Sequence, residues 1–201
     1  MQLKMISKRS IVIGVIALLM FSSALFLNFL QKNGLPPFEY AIALPIQKEQ
    51  IGFGFPIRLK IPKINVDSSV EYVGLASDGT MDVPKERANV AWFELGPRPG
   101  ENGSAVIAGH YGINNKKTSA FDNLHRLRKG DKLYVEDEKG EIIVFVVRES
   151  RRYDPKADAL GIFSSNDGKS HLNLVTCEGV WDEATQQYPK RLVVFTDREI
   201  R

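Results

Sequence analysis

From Ile57 onward the chain is written in short apolar runs cut by turn residues. IRLKI (57–61) and DKLYVED (131–137) alternate apolar with polar positions. SVEYVG (69–74) ends in glycine, and GSAVIAGH (103–110) is an apolar run bounded by glycines. Lys139-Gly140 turns DKLYVED into EIIVFVVRESRRY (141–153), and HLNLVTC (171–177) and RLVVFTD (191–197) complete the series. Runs this short, rich in β-branched residues and spaced by Gly, Asn and Asp, predict an all-β domain over residues 57–201, a sandwich or barrel of antiparallel strands. One helix is expected in SAFDNLHRL (119–127), where Phe121, Leu124 and Leu127 fall at helical spacing and Ser119 or Thr118 stands as N-cap. Residues 154–169 read as a long loop with at most a turn of helix, and loops of that length in compact domains are often functional.

The N-terminus obeys a different rule. Residues 11–30, IVIGVIALLMFSSALFLNFL, are apolar and uncharged. At ~1.5 Å per residue they extend for ~30 Å, the thickness of a bilayer's hydrocarbon core. Lys4, Lys8 and Arg9 precede them and no acidic residue does, so residues 1–10 are expected to be cytoplasmic and everything after residue 30 extracellular. A cleaved signal peptide has a shorter apolar region, and the triplet Ala41-Ile42-Ala43 lies far beyond this one, which favours an uncleaved signal-anchor. Residues 31–56, broken by prolines and glycines, read as a linker or stalk. The net charge of +3 comes wholly from the three basic residues of the flank. The remainder is neutral, which argues against a nucleic-acid binder.

Cys177 is the single cysteine, and it closes a strand in a compartment that is usually oxidising. It cannot form an internal disulfide, so it is a buried residue, an intermolecular partner or a reactive thiol. No CxxC pair supports redox chemistry, and one Cys with three scattered His gives no zinc spacing. No metal or other cofactor is expected. A nucleophilic thiol needs a base. His171 shares the strand, but six residues of strand span ~20 Å. His125 falls in the expected helix and suits a solvated surface residue. His110, with Gly109 before it and Tyr111-Gly112 after it, ends an apolar run where the backbone can bend and leave the ring accessible. An oxyanion would be held best by a guanidinium. Arg191 opens the strand after Cys177, and antiparallel pairing of the two strands would bring them together. Parity alone does not choose between Lys190 and Arg191.

A membrane anchor, an all-β ectodomain, AGH at a strand end, a strand ending L-x-T-C and an arginine opening the next strand together resemble the sortases of Gram-positive bacteria. Their strand motif is TLxTC, and the chain carries Asn173-Leu174-Val175-Thr176-Cys177, with asparagine in place of the first threonine. IRLKIPKINVDSSVEYVGL, VAWFELGPRPGENGSAVIAGH and AFDNLHRLRKGDKLYV extend the resemblance over residues 56–198. It implies an eight-stranded β-barrel with one or two short helices. It also implies Cys177 as nucleophile, His110 as acid/base and Arg191 as the oxyanion-stabilising and substrate-aligning group. The implied substrates are secreted proteins with a C-terminal LPxTG-like signal, joined to lipid II or another amine such as a pilin lysine. Thr176, Glu178 and Trp181 are candidates for contact with the peptide. EGVWDEATQQY and AWFELGP are most similar to class E and F sortases, with class D also compatible. The alternative is a non-catalytic, membrane-anchored barrel that binds peptide or wall polymer. A third reading is release by hydrolysis, with water as acceptor.

Overall fold

The computed structural model describes residues 52–112 and 118–200, with Asn28 alone before them. Apart from Asn28, the apolar run 11–30 and most of the linker lie outside the described residues. None of the described helices is long and apolar enough to cross a membrane.

Eight strands close into a barrel: β1 (Pro56–Ile61), β2 (Val66–Val73), β3 (Val90–Phe93), β4 (Gly103–Gly109), β5 (Lys132–Asp137), β6 (Ile142–Tyr153), β7 (Ser170–Glu178) and β8 (Lys190–Arg198). Their order around the barrel is β1-β2-β3-β4-β7-β8-β6-β5, with β5 returning to β1. The alternation of the sequence is the alternation of the wall. Leu59 and Ile61, Leu133 and Val135, Ile143 and Phe145, and Leu172 and Leu174 enter one buried core.

Three expectations need correction. The barrel is not wholly antiparallel, since β2 pairs with β3, and β4 with β7, in parallel. Long connections make this possible, and the whole β5–β6 hairpin lies between β4 and β7. Strand β3, VAWF, absent from the runs read in the sequence, does not alternate. Val90, Ala91 and Trp92 are all buried, so it reads as a continuous apolar run. Residues 119–127 form turns with one short 3-10 segment, Leu124–Arg126, not an α-helix. The capping hydroxyl is engaged elsewhere, since Ser119 Oγ donates to the Gly112 carbonyl at 2.6 Å. Asp122 likewise accepts from the backbone N–H groups of Gly112 and Ser119. Phe121, Leu124 and Leu127 are nonetheless buried, as their spacing suggested.

The end of the expected linker belongs to the barrel's packing. Gly54 N–H donates to the buried Asp137 carboxylate, which also accepts from the N–H groups of Lys139 and Glu141. The guanidinium of Arg98 sits over the Phe55 ring at 4.0 Å. Segment 154–169 contains one four-residue helix, α1 (Leu160–Phe163). It covers the outer face of β4, β7 and β8, where Ile162 packs with Val106, Val193 and Phe195 as a second apolar cluster.

Candidate active site

Strand register assembles the site. Along β7, Leu172 and Leu174 face the barrel core, so His171, Asn173, Val175 and Cys177 take the opposite face. β7 and β8 run antiparallel with Cys177 opposite Arg191 and Glu178 opposite Lys190. This decides the choice that parity left open. On its other side Arg191 is opposite Tyr153, the last residue of β6. Cys177, Arg191 and Tyr153 thus form a row across three strands. β4 runs parallel to β7 with Ala108 beside Val175. His110, two residues further, therefore comes level with Cys177.

Glycines and one hydroxyl hold this corner. A Cβ on Gly109 would stand 2.5 Å from the Phe121 ring, so only glycine lets the strand lie against that ring. Thr176 is buried and its Oγ1 donates to the Gly109 carbonyl at 2.7 Å, joining the ends of β7 and β4. Gly179 adopts φ +109 and a Cβ there would meet Pro189 at 2.6 Å, which closes the base of loop 179–189.

Cys177 is a free thiol, half-buried. Burial pushes the thiol up from its ordinary value, and the neighbouring Arg191 guanidinium pulls it part of the way back. Arg191 Nη1 donates to the carbonyls of Tyr188 and Lys190, both at 3.3 Å. The His110 Nε2 lies 2.8 Å from the Pro84 carbonyl oxygen. Cys177 and Arg191 stand at the head of a cleft of about 850 Å3 whose walls include Met81, Phe93, Tyr153, Leu160, Phe163 and Val193. The cleft is apolar because α1 and the loop after β2 cover the outer face of β7 and β8.

The remaining candidates separate. Glu178 forms a two-pronged ion pair with Arg152, at 2.5 and 2.9 Å, away from the cleft. The Thr176 side chain is almost wholly enclosed, at 4% exposed. Trp181 is 40% exposed and stacks edge-on against Tyr188, which stacks in turn on Tyr111 beside His110. Trp181 does not line the apolar cleft. His171 is buried at the other end of β7 between Asp167 and Asp197, consistent with its exclusion as the base, and His125 is exposed. No group of three or more His, Cys, Asp or Glu among the described residues could hold a metal ion. Sequence reasoning missed Tyr153, though it ends a recognised strand run and its register against Arg191 was the missing fact. It also missed the Pro84 carbonyl, for which residue type carries no signal.

The asparagine that departs from the TLxTC pattern has a specific task. Asn173 is buried, and its Nδ2 donates to the Ile162 carbonyl at 2.6 Å, pinning α1 onto β7. Its Oδ1 has no partner among the described residues. Asn173→Ala is expected to strand that carbonyl and destabilise the fold by about 1–2 kcal/mol, less any relief from losing the unpartnered oxygen. Chemical denaturation measures this.

Comparison with known proteins agrees with the geometry. The sortase domain model matches residues 59–199, most of the chain, from within β1 to the end of β8. The chain belongs to the sortase family. Among solved structures this sortase is similar to sortase C-1 from Actinomyces oris, with 25% identity and TM-score 0.58 over 72% of this chain and 71% of the other. It is also similar to Streptococcus agalactiae sortase C1 in complex with MTSET, with 24% identity and TM-score 0.56 over 72% and 67%. A Clostridium perfringens sortase D5 transpeptidase aligns at 23% identity with TM-score 0.54 over 72% and 79%. Identities this low speak to the fold. No curated protein matches the sequence.

Proposed function

We propose that this sortase is a membrane-anchored cysteine transpeptidase that cleaves an LPxTG-like sorting signal and joins the released acyl group to a cell-wall amine. The observation that carries the reading is the pairing of Cys177 with Arg191 at one apolar cleft, with the strand end that bears His110 level with Cys177 on the neighbouring strand. An extended peptide with apolar residues ahead of its scissile bond suits such a cleft. His110 takes the thiol proton, and the thiolate attacks the carbonyl before the scissile bond, usually that of Thr in Thr-Gly. Arg191 stabilises the tetrahedral oxyanion with a fixed charge. Collapse breaks the C–N bond, His110 returns its proton to the leaving amine, and a thioester remains on Cys177. The acceptor amine, lipid II or a pilin lysine, then attacks the thioester and frees the thiol. No metal is needed for these steps.

Residues 11–30 would hold the enzyme in the membrane with residues 1–10 inside and the barrel outside, close to secreted substrates and lipid-linked acceptors. The class E/F reading rests on the loop after Cys177 and on AWFELGP. With Thr176 enclosed and Glu178 paired to Arg152, direct peptide contact at the nucleophile falls to the backbone, Tyr153 and the cleft walls.

The test is intact-protein mass spectrometry of the chain incubated with LPxTG-type peptides. The expected result is an acyl adduct on Cys177 that disappears when an amine is added, with the ligated product formed in step. A chain that never carries the adduct across a library of such pentapeptides would reduce the protein to a binding barrel.

A further inference from the structure

Resting on that reading, we propose that segment Asp82–Asn89 is the element that positions His110, with the Pro84 carbonyl holding Nε2–H so that Nδ1 is the nitrogen that takes and returns the proton. A carbonyl oxygen only accepts, so at 2.8 Å from it Nε2 must carry a hydrogen. In the neutral ring that leaves Nδ1 as the sole basic site. The thiol proton then moves to Nδ1, giving an imidazolium that keeps its bond to Pro84. The same Nδ1–H is later delivered to the leaving amine, which restores the starting tautomer.

The carbonyl can do this only if it is fixed, and the segment is tied at several points. The Glu71 carboxylate on β2 accepts from the N–H groups of Lys85 at 2.8 Å and Glu86 at 3.2 Å, and from the Asn89 amide at 2.9 Å. Burial pushes this carboxyl up, but those donors and the Lys85 charge more than offset it, and Glu71 sits below the usual carboxylate range. Arg87 Nη2 reaches forward to the carbonyls of Tyr111 and Gly112 and to Ser119 Oγ, at 2.6–3.1 Å. The segment therefore grips His110 on its ring through Pro84 and on its following backbone through Arg87. Glu71 and Arg87 act through the histidine and are positioning residues.

The test is 15N–1H spectroscopy of the full chain in detergent, labelled at its three histidines, with His110→Gln supplying the assignment. A hydrogen-bonded Nε2–H exchanges slowly, so a direct Nε2–H cross-peak from His110 is expected at a pH where the ring is neutral. A ring protonated at Nδ1 instead, or one with no protected proton, overturns the inference. Glu71→Gln keeps the shape but sets an amide donor against the N–H donors. It is expected to weaken or abolish the cross-peak and to lower kcat by up to about 100-fold with KM little changed. A fall in Tm with cross-peak and kcat intact would make Glu71 merely structural and overturn its part. Should Glu71→Gln not fold, Arg87→Gln, which loses the charge and the Nη2 reach to Tyr111, Gly112 and Ser119, is expected to weaken the cross-peak and lower kcat in the same way. An unchanged cross-peak and kcat would overturn the part given to the segment. A protected Nε2–H in a chain that processes no sorting peptide would sink the transpeptidase reading and leave this contact standing. Normal turnover without the cross-peak would sink the positioning inference alone.

Discussion

Arg191→Ala is expected to lower kcat/KM for peptide transpeptidation by about 100-fold or more, the scale set by removing one preorganised oxyanion donor. The guanidinium is suited to the task by its place in the sheet. It leaves β8 directly opposite Cys177, so its charge stands beside the thiol. Its bonds to the Tyr188 and Lys190 carbonyls both leave from Nη1, so the Nη2 and Nε donors are not spent on them. A second effect separates this role from simple loss of packing. Burial raises the Cys177 thiol and Arg191 opposes that rise. Removing the guanidinium leaves burial unopposed, so the thiol should titrate at higher pH than in the parent. Iodoacetamide alkylation followed against pH reads the shift, and a midpoint that stays put or falls would contradict the electrostatic account. Arg191→Lys retains the charge but not the fork, so its alkylation profile should stay near the parent's while its turnover falls between those of parent and alanine variant.

Cys177→Ala is expected to abolish both the acyl adduct and turnover, since no other thiol exists in the chain to replace it. The loss should be chemical and not structural. Cys177 is only half-buried at a strand end, and the hydrogen bond that joins β7 to β4 at this corner belongs to Thr176. The variant should therefore keep the parent's circular dichroism and nearly its Tm. Residual amide-bond transfer by the alanine variant would remove sulfur from the mechanism. Wild-type thermal stability combined with lost turnover would assign the defect to the nucleophile.

The candidate site was largely legible in the chain because its three members are unusual locally. Cys177 stands alone of its type, His110 is set between glycines, and Arg191 opens a strand whose partner ends in the cysteine. What could not be read was register. Lys190 and Arg191 were equivalent until β7 and β8 paired, and Tyr153 joined the row only through its pairing with Arg191. Strand β3 escaped because burial on both faces erases alternation. The helix expected over 119–127 failed because Ser119 and Asp122 serve the loop after His110, not a helix end. A backbone carbonyl such as that of Pro84 is common to every residue, so nothing in the letter P marks it.

Periodicity, turn chemistry and charge are properties of neighbours along the chain, and they alone determined the β character of residues 57–201, the apolar run at 11–30 and the short roster of reactive groups. Tertiary structure decided which of those groups meet. Barrel closure joins strands far apart in sequence, in parallel as well as antiparallel, and a shift of one residue in any pairing turns a side chain to the opposite face. The place of Cys177 beside Arg191, the grip of Pro84 on His110 and the cleft beneath α1 all follow from that long-range register, which no local pattern encodes.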